Sequence, residues 1–181
     1  VYGFWHTGEQ HTVTTGGKAD PAAAAEARLA AQRAREQRDA ERRAQQVKTA
    51  EQARRWWATA GAADPSHPYL TKKRLAPHGL RQRDTMLLVP LFYDGELVNI
   101  ERIYPDGAKK ALFGGRAKGV AGLVSKLVDA DRVLIAEGWA TAAALYEAIG
   151  VPVVVARNAD NLEPVARRLR QRLPDNGAIT L

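Results

Sequence analysis

The sequence predicts an α/β fold: a parallel sheet with helical crossovers, preceded by a small antiparallel β meander and a long N-terminal helix. Three observations predict it. Residues 132–181 alternate short Val- and Ile-rich runs with helical stretches, the rhythm of strand–helix–strand units. Residues 86–113 hold three strand-like runs parted by Asp94-Gly95 and Asp106-Gly107, and Asp-Gly is a strong hairpin signal. Residues 21–60 are almost wholly Ala, Arg, Glu and Gln, all good helix formers.

Taken in order, Tyr2 to Trp5 and Gln10 to Thr14 read as two short strands joined across Thr7-Gly8-Glu9. A lone hairpin cannot bury a core, so partner strands are expected upstream. Gly16-Gly17 loosens the chain, and Asp20-Pro21 starts a helix with Asp as N-cap and Pro at its first position. Leu29 and Val47 are that helix's only aliphatic side chains larger than Ala before Trp56-Trp57, and no heptad seam is visible. It is expected to be a solvated spacer. Gly61 and Asp64-Pro65-Ser66-His67-Pro68 end it.

Met86 to Phe92, Leu97 to Tyr104 and Lys110 to Phe113 form the meander, which is expected to carry Arg102, Lys109, Lys110, Arg116 and Lys118. Then follow a strand at Arg132 to Ala136, a helix from Gly138 to Ile149 stopped by Gly150, and a Val-rich strand from Val151 to Ala156. A second helix runs from Asn161, a plausible N-cap, to Leu173, and a third strand begins at Ala178. Four segments result: 1–20, a hairpin belonging to an upstream domain; 21–62, the Ala/Arg helix; 63–126, the basic meander; and 127–181, the parallel sheet.

Charge is unevenly spread. The 181 residues carry a net +7, and residues 72–126 alone hold eleven basic and five acidic side chains, net +6, whereas residues 127–181 are net −1. A local positive patch attracts phosphate backbones by counterion release; a solvated basic surface is the plainer alternative. There is no cysteine, which excludes a disulfide framework and a Cys-type zinc site within the chain and fits the cytosol. No apolar run approaches the roughly 20 residues needed to span a bilayer, so no membrane partner is expected. His6, His11, His67 and His78 lack ligand spacing and are expected on the surface or in turns; Trp56-Trp57 and Trp139 are expected as packing anchors.

Glu137-Gly138 stands out. The apolar strand Val133-Leu134-Ile135-Ala136 delivers an acid to the carboxyl end of a parallel strand, where ligand chemistry occurs in such sheets. Gly138 permits close approach at a helix start, whose free N–H groups favour anions. A carboxylate there can ligate Mg²⁺ or act as a general base; the plain alternative is a first-turn acid favoured by the helix dipole. Arg157 and Asn158, at the next strand end, are candidates to face the same cleft.

The run Leu134-Ile135-Ala136-Glu137-Gly138-Trp139-Ala140-Thr141-Ala142-Ala143 resembles the first conserved motif of the Toprim domain in primases of phages, plasmids and mobile elements. Pro152 to Ala156, Asn158-Ala159 and Asn161-Leu162 are similar to that family's second strand and following turn, with Asp160 departing from its usual Gly. His67-Pro68-Tyr69-Leu70, Leu88-Val89-Pro90-Leu91 and the Asp-Gly hairpins resemble the segment that precedes Toprim, and Tyr2 to Glu9 with the long helix resembles its N-terminal part.

The resemblance implies a cytoplasmic DNA primase, a nucleotidyltransferase that joins ribonucleotides into short primers on single-stranded DNA during replication of such an element. It implies two divalent metals, Mg²⁺ or Mn²⁺, held by the strand-one Glu, here Glu137, and by an Asp-x-Asp motif expected after Leu181. It further implies phosphate contacts from Arg102, Lys109, Lys110, Arg116 and Lys118, nucleoside triphosphates as substrates, and a replicative helicase as a candidate partner. A Toprim nuclease and a non-catalytic nucleic-acid-binding or docking module are the alternatives.

Overall fold

The computed structural model describes residues 2–3, 10–11, 21–127, 130–174 and 177–181. The chain divides into two compact units, Val1–Glu41 and Arg42–Leu181. In the first, β1 (Tyr2–Gly3) pairs antiparallel with β2 (Gln10–His11), Tyr2 opposite His11. The expected turn at 7–9, the Gly16-Gly17 pair and the Asp20 cap lie outside the described residues. Helix α1 spans Pro21–Thr59. Up to Glu41 its side chains are mostly exposed, and Gln32–Glu36 and Gln37–Glu41 hydrogen bonds, each 2.9 Å, link successive turns.

Within the second unit the same helix changes character. Thr49, Ala50 and Ala53 are buried, and Trp56 and Trp57 pack beside Leu88, Ile100 and Leu112. The expected solvated spacer therefore does not extend along the whole helix: small residues at 49, 50 and 53 let its last turns lie close against the sheet beneath.

That sheet has five strands in the order β3 (Gly61–Ala62), β4 (Arg81–Arg83), β5 (Met86–Tyr93), β6 (Glu96–Ile103), β7 (Lys109–Ala111), all antiparallel. Asp94 and Gly95 both have positive φ, 52° and 84°, the backbone of a two-residue hairpin whose twist matches its strands. Pro90 sits inside β5 because β4 pairs only as far as Leu88, so the missing N–H faces no partner strand. Arg116 and Lys118 lie beyond β7, in the loop that leaves the meander, rather than on its strands. Helix α2 (Pro68–Lys73) is capped by His67, whose Nδ1 accepts from the Tyr69 N–H at 3.2 Å while Nε2 meets the Thr85 carbonyl at 3.0 Å. His67 closes the turn that begins at Asp64, as one half of the expectation has it, but it is buried rather than on the surface, because both ring nitrogens have backbone partners.

The second sheet has the order β11 (Ala178–Thr180), β9 (Arg132–Ala136), β10 (Val153–Val155), β8 (Gly122–Leu123). Strands β9, β10 and β11 are parallel, connected through α3 (Trp139–Ile149) and α4 (Leu162–Arg170). It is a mixed sheet, because β8 runs antiparallel to β10, an edge strand too short for its sequence pattern to reveal. Opposite the Leu91–Phe92 step the pairing skips Val98 of β6, a bulge, and Phe92 exchanges backbone hydrogen bonds of 2.8 and 3.0 Å with Ala121. This bridge stitches the meander to the second sheet.

The core lies in layers. Leu87, Val89 and Ile103 pack with Ala136, Trp139 and Val155 between the sheets, so Trp139 is the expected anchor. On the other face of the second sheet, Val133, Ile135 and Val154 meet Val165 and Leu169 of α4. Asn161 corrects the sequence reading. A single 3-10 turn at Ala159–Asn161 precedes α4, and Asn161 has helical φ and makes no cap hydrogen bond. Its buried side chain instead accepts from Gly119 N–H at 2.7 Å and donates to Val120 and Ala156 carbonyls at 2.8 and 2.7 Å.

Candidate functional site

Strand β9 ends at Ala136, and the next residue, Glu137, is exposed. Gly138 is the N-cap of α3, extended at φ −122° and with no side-chain cap, so the first N–H groups of the helix lack that partner. A Cβ at position 138 would stand 3.3 Å from Nζ of Lys109. Strand β7 thereby brings one meander lysine onto the acid-bearing strand end. The Lys109 ammonium also lies 6.0 Å from the Tyr69 ring.

The neighbouring strand end contributes Arg157. Val155 pairs with Ala136, and Ala156 N–H donates to the Ala136 carbonyl at 2.8 Å, so Glu137 and Arg157 leave adjacent parallel strands at the same edge. Arg157 has φ +80°, a left-handed backbone that costs a non-glycine residue about 1–3 kcal/mol. Asn158 follows with its Oδ1 buried and without a hydrogen-bond partner.

A residue absent from the sequence reading stands among these groups. Glu101 of β6 is only 6% exposed. It pairs with Val89 on one side and Ala111 on the other, and strand alternation puts it on the face of Ile103, the partner of Lys109. Among the described residues its carboxylate makes no hydrogen bond and no ion pair within 4 Å. Burial pushes its pKa above the usual carboxylate range, and the positive charges of Lys109 and Arg157 partly offset that rise. The available signal was its phase: Asn99, Glu101 and Ile103 share one buried face of β6.

The other predicted basic residues do not converge there. Arg102 is opposite Lys110 and next to Leu88, on the face of the sheet that α1 covers. Its guanidinium donates to the Lys110 and Ala111 carbonyls at 3.2 and 3.1 Å, so it braces β7. Lys110 is exposed on that same face, and Lys118 is exposed in the loop. Arg116 stacks on Tyr93 at 3.2 Å from the ring centroid, with Arg168 on the same ring at 3.5 Å. Arg168 and Arg172 both donate to Asp94 Oδ1, at 2.6 and 3.1 Å. The Arg168 hydrogen bond holds the Asp94 carboxyl below its usual pKa.

Two cationic clusters result. One gathers Lys109, Arg157, Glu101, Glu137 and Gly138 at the strand ends. The other gathers Arg116, Arg168 and Arg172 around Tyr93 and Asp94, beside a pocket of about 270 Å³ walled by Phe92, Leu123, Val154 and Leu169. Among the described residues no group of three or more His, Cys, Asp or Glu side chains could hold a metal ion, so Glu137 is a single candidate ligand rather than a completed centre. No described helix is long and apolar enough to cross a membrane.

No known family model matches the chain, and no solved structure matches it. Two curated relatives do, both named DNA primase TraC and both from Escherichia coli. One is 31% identical over 169 residues, covering 90% of this chain and 15% of the relative; the other is 30% identical over 150 residues, covering 79% of this chain and 10% of the relative. The chain thus spans a small part of the length of the proteins it matches. Similarity over this much of its own length supports a primase-like family for the chain.

Proposed function

We propose that this chain is part of a DNA primase that synthesises short RNA primers on single-stranded DNA, with residues 127–181 beginning a Toprim-like domain and residues 63–126 guiding template and incoming nucleotide. The observation that carries the reading is the approach of Lys109 to Gly138, the residue after Glu137, as expected if a cation is to meet a phosphate at that strand end. The relatives' name and the parallel β9–β10–β11 connection support it. Glu137 would be one ligand of a divalent metal, Mg²⁺ or Mn²⁺, whose remaining protein ligands are the aspartates expected after Leu181. When bound, such a metal lowers the pKa of the attacking hydroxyl and neutralises charge on the phosphates. The chain's own residues do the rest: Lys109 and Arg157 hold and orient the triphosphate, and the start of α3 offers its N–H groups to the same charge.

The test is primer synthesis on single-stranded DNA by a protein extended to include those aspartates. Glu137→Gln keeps size and hydrogen-bonding capacity but removes the charge. The expected result is a loss of at least about 10²–10⁴-fold in primer yield with an unchanged melting temperature. Near-normal synthesis would return Glu137 to the role of a helix-start acid and remove the chemical support for the reading.

A further inference from the structure

Strand β6 carries a buried acid, Glu101, that the strand-end reading of Glu137 does not use. Glu101 has no hydrogen-bond donor and no ion-pair partner among the described residues, yet it shares a face of the meander with Lys109 and feels the charge of Arg157, and neither cation has a direct acidic partner there. Lys109 comes from β7 and Arg157 from the turn after β10, so two independent elements supply positive charge that favours one carboxylate. Arg157 leaves β10 with a left-handed backbone, and the uncapped start of α3 adjoins Lys109 through Gly138. Lys109 and Arg157 against the buried acid leave one positive charge, which exposed Glu137 balances from the strand end. The acid is also not close enough to bond either cation and satisfy it.

We infer that Lys109 and Arg157 form a polyphosphate subsite, and that Glu101 is its internal counter-ion, holding the two cations in place until the phosphates of a nucleotide displace its influence. This deepens the primase reading and rests on it for the identity of the ligand, a nucleoside triphosphate. The physical logic is competitive. A charged Glu101 screens Lys109 and Arg157 in the empty site, which keeps them from repelling each other in a poorly solvated place. Once a polyphosphate arrives, the same charge opposes it. The groups facing Glu101 are Lys109 from β7 and Arg157 beyond β10; Tyr69 of α2 stands by Lys109, Glu137 lies beyond Gly138, and β5 offers apolar Val89. An arriving anion stabilises the protonated acid further, so docking draws a proton onto Glu101 and binding weakens as pH rises.

Isothermal titration of the full chain with tripolyphosphate and with ATP, at pH 6 and pH 8 and in buffers of different ionisation enthalpy, reads both affinity and protons. Tripolyphosphate and ATP should bind the wild type more weakly at pH 8 than at pH 6, with net proton uptake. Glu101→Gln should bind about tenfold more tightly at pH 8 and lose the part of the uptake that the wild type shows beyond the ligand's own titration. Lys109→Gln should weaken binding of both probes. Unchanged or weaker binding by Glu101→Gln in a folded protein overturns the proposal, as does proton uptake equal to the wild type's. A subsite for the template backbone would reveal itself differently: oligothymidylate, not tripolyphosphate, would gain affinity in Glu101→Gln, and that result too overturns the assignment. Because these measurements involve no synthesis, their failure leaves the Glu137 experiment untouched, and failure of that experiment leaves them standing.

Discussion

The two cationic clusters of this molecule are built from the same kinds of residue and do opposite things with their charge. Around Tyr93, Arg116 and Arg168 lie on one aromatic ring while Arg168 and Arg172 share Asp94. Those arginines are occupied, and their charge is used to fasten the hairpin turn to α4. At the strand ends, Lys109 and Arg157 have no hydrogen-bonded acid among the described residues, and Glu101 nearby is buried without a donor. The first cluster is closed and structural, the second open. A basic residue count cannot separate them, because a cation that already has a partner counts the same as one that has none. What separates them is whether each cation already has a partner, and that depends on strand register and loop position.

Both clusters hang on Asn161, so the largest expected effect breaks them together. Its side chain fixes Gly119 and Val120, next to the Tyr93 stack, and Ala156, the residue before Arg157. Asn161→Ala would leave a buried N–H and two buried carbonyls without that partner, each worth about 1–3 kcal/mol when unsatisfied. A loss of about 3 kcal/mol is expected in denaturant unfolding. A loss below about 1 kcal/mol would mean that other groups readily replace the amide and that the two clusters are independent.

Much of this architecture was readable in the sequence, and the failures are specific. The Asp94-Gly95 turn was legible because few residues other than Asp, Asn and Gly accept two successive positive φ angles. Strand β9 and helix α3 were legible from a compact apolar run followed by Gly138 and a good helix-forming segment. Strand β8 was not, since two residues carry no periodicity. Asn161 had the residue type of a cap and the job of a latch, a distinction made by the position of Gly119 and Val120, about forty residues earlier in the chain. The site was half legible. Glu137 and Gly138 follow from strand-end logic, but grouping Arg102 and Lys110 with Lys109 overlooked that adjacent strand residues point to opposite faces. Glu101 was hidden in plain view, because an acid on a strand suggests the solvent side until its neighbours Asn99 and Ile103 are known to be buried.

A second experiment sharpens the comparison by exchanging stability for binding. Arg168→Ala loses the stack on Tyr93, worth about 0.5–1 kcal/mol for a cation on an aromatic face. It should lower stability and leave the salt dependence of oligothymidylate binding unchanged. Lys109→Ala should do the reverse, with no measurable loss of stability and a salt slope flatter by up to roughly 0.7 if one phosphate contact disappears. Arg116→Ala should follow Arg168, since its guanidinium is already on Tyr93. A flattened slope in Arg116→Ala with none in Lys109→Ala would reverse the assignment of open and closed clusters. Glu101→Gln adds a control on the open side: ionised Glu101 is disfavoured by the fold, so its stability penalty appears as pH rises through its elevated folded pKa. The Gln variant should therefore melt higher than wild type at pH 8, by about 2–4 °C for each kcal/mol relieved, and the two should converge at pH 4.

The smallest effect belongs to the closed cluster and concerns acid. Asp94 has a folded pKa below its ordinary value of 3.8, chiefly because Arg168 donates to its carboxylate, with Arg172 and Arg116 adding favourable charge. For an acid shifted downward, the native state binds fewer protons than the unfolded chain between the two pKa values. The stabilisation is therefore fully present above the unfolded pKa and is lost as pH falls through the folded one. Asp94 is exposed, so the contribution is screened and should diminish with salt. Asp94→Asn should be slightly less stable than wild type at pH 6 in low salt, and the difference should fade both at pH 2 and in 1 M salt. Glu147 offers the matched control outside either cluster: the Ala76 N–H and His78 lower its pKa, so Glu147→Gln should show the same acid limb but leave the Tyr93 stack intact. If the difference between Asp94→Asn and wild type instead persisted unchanged to pH 2, the carboxylate's charge would not be what fastens the arginines. The hairpin turn and α4 would then be held by the aromatic stack alone, and the closed cluster would owe nothing to its acid.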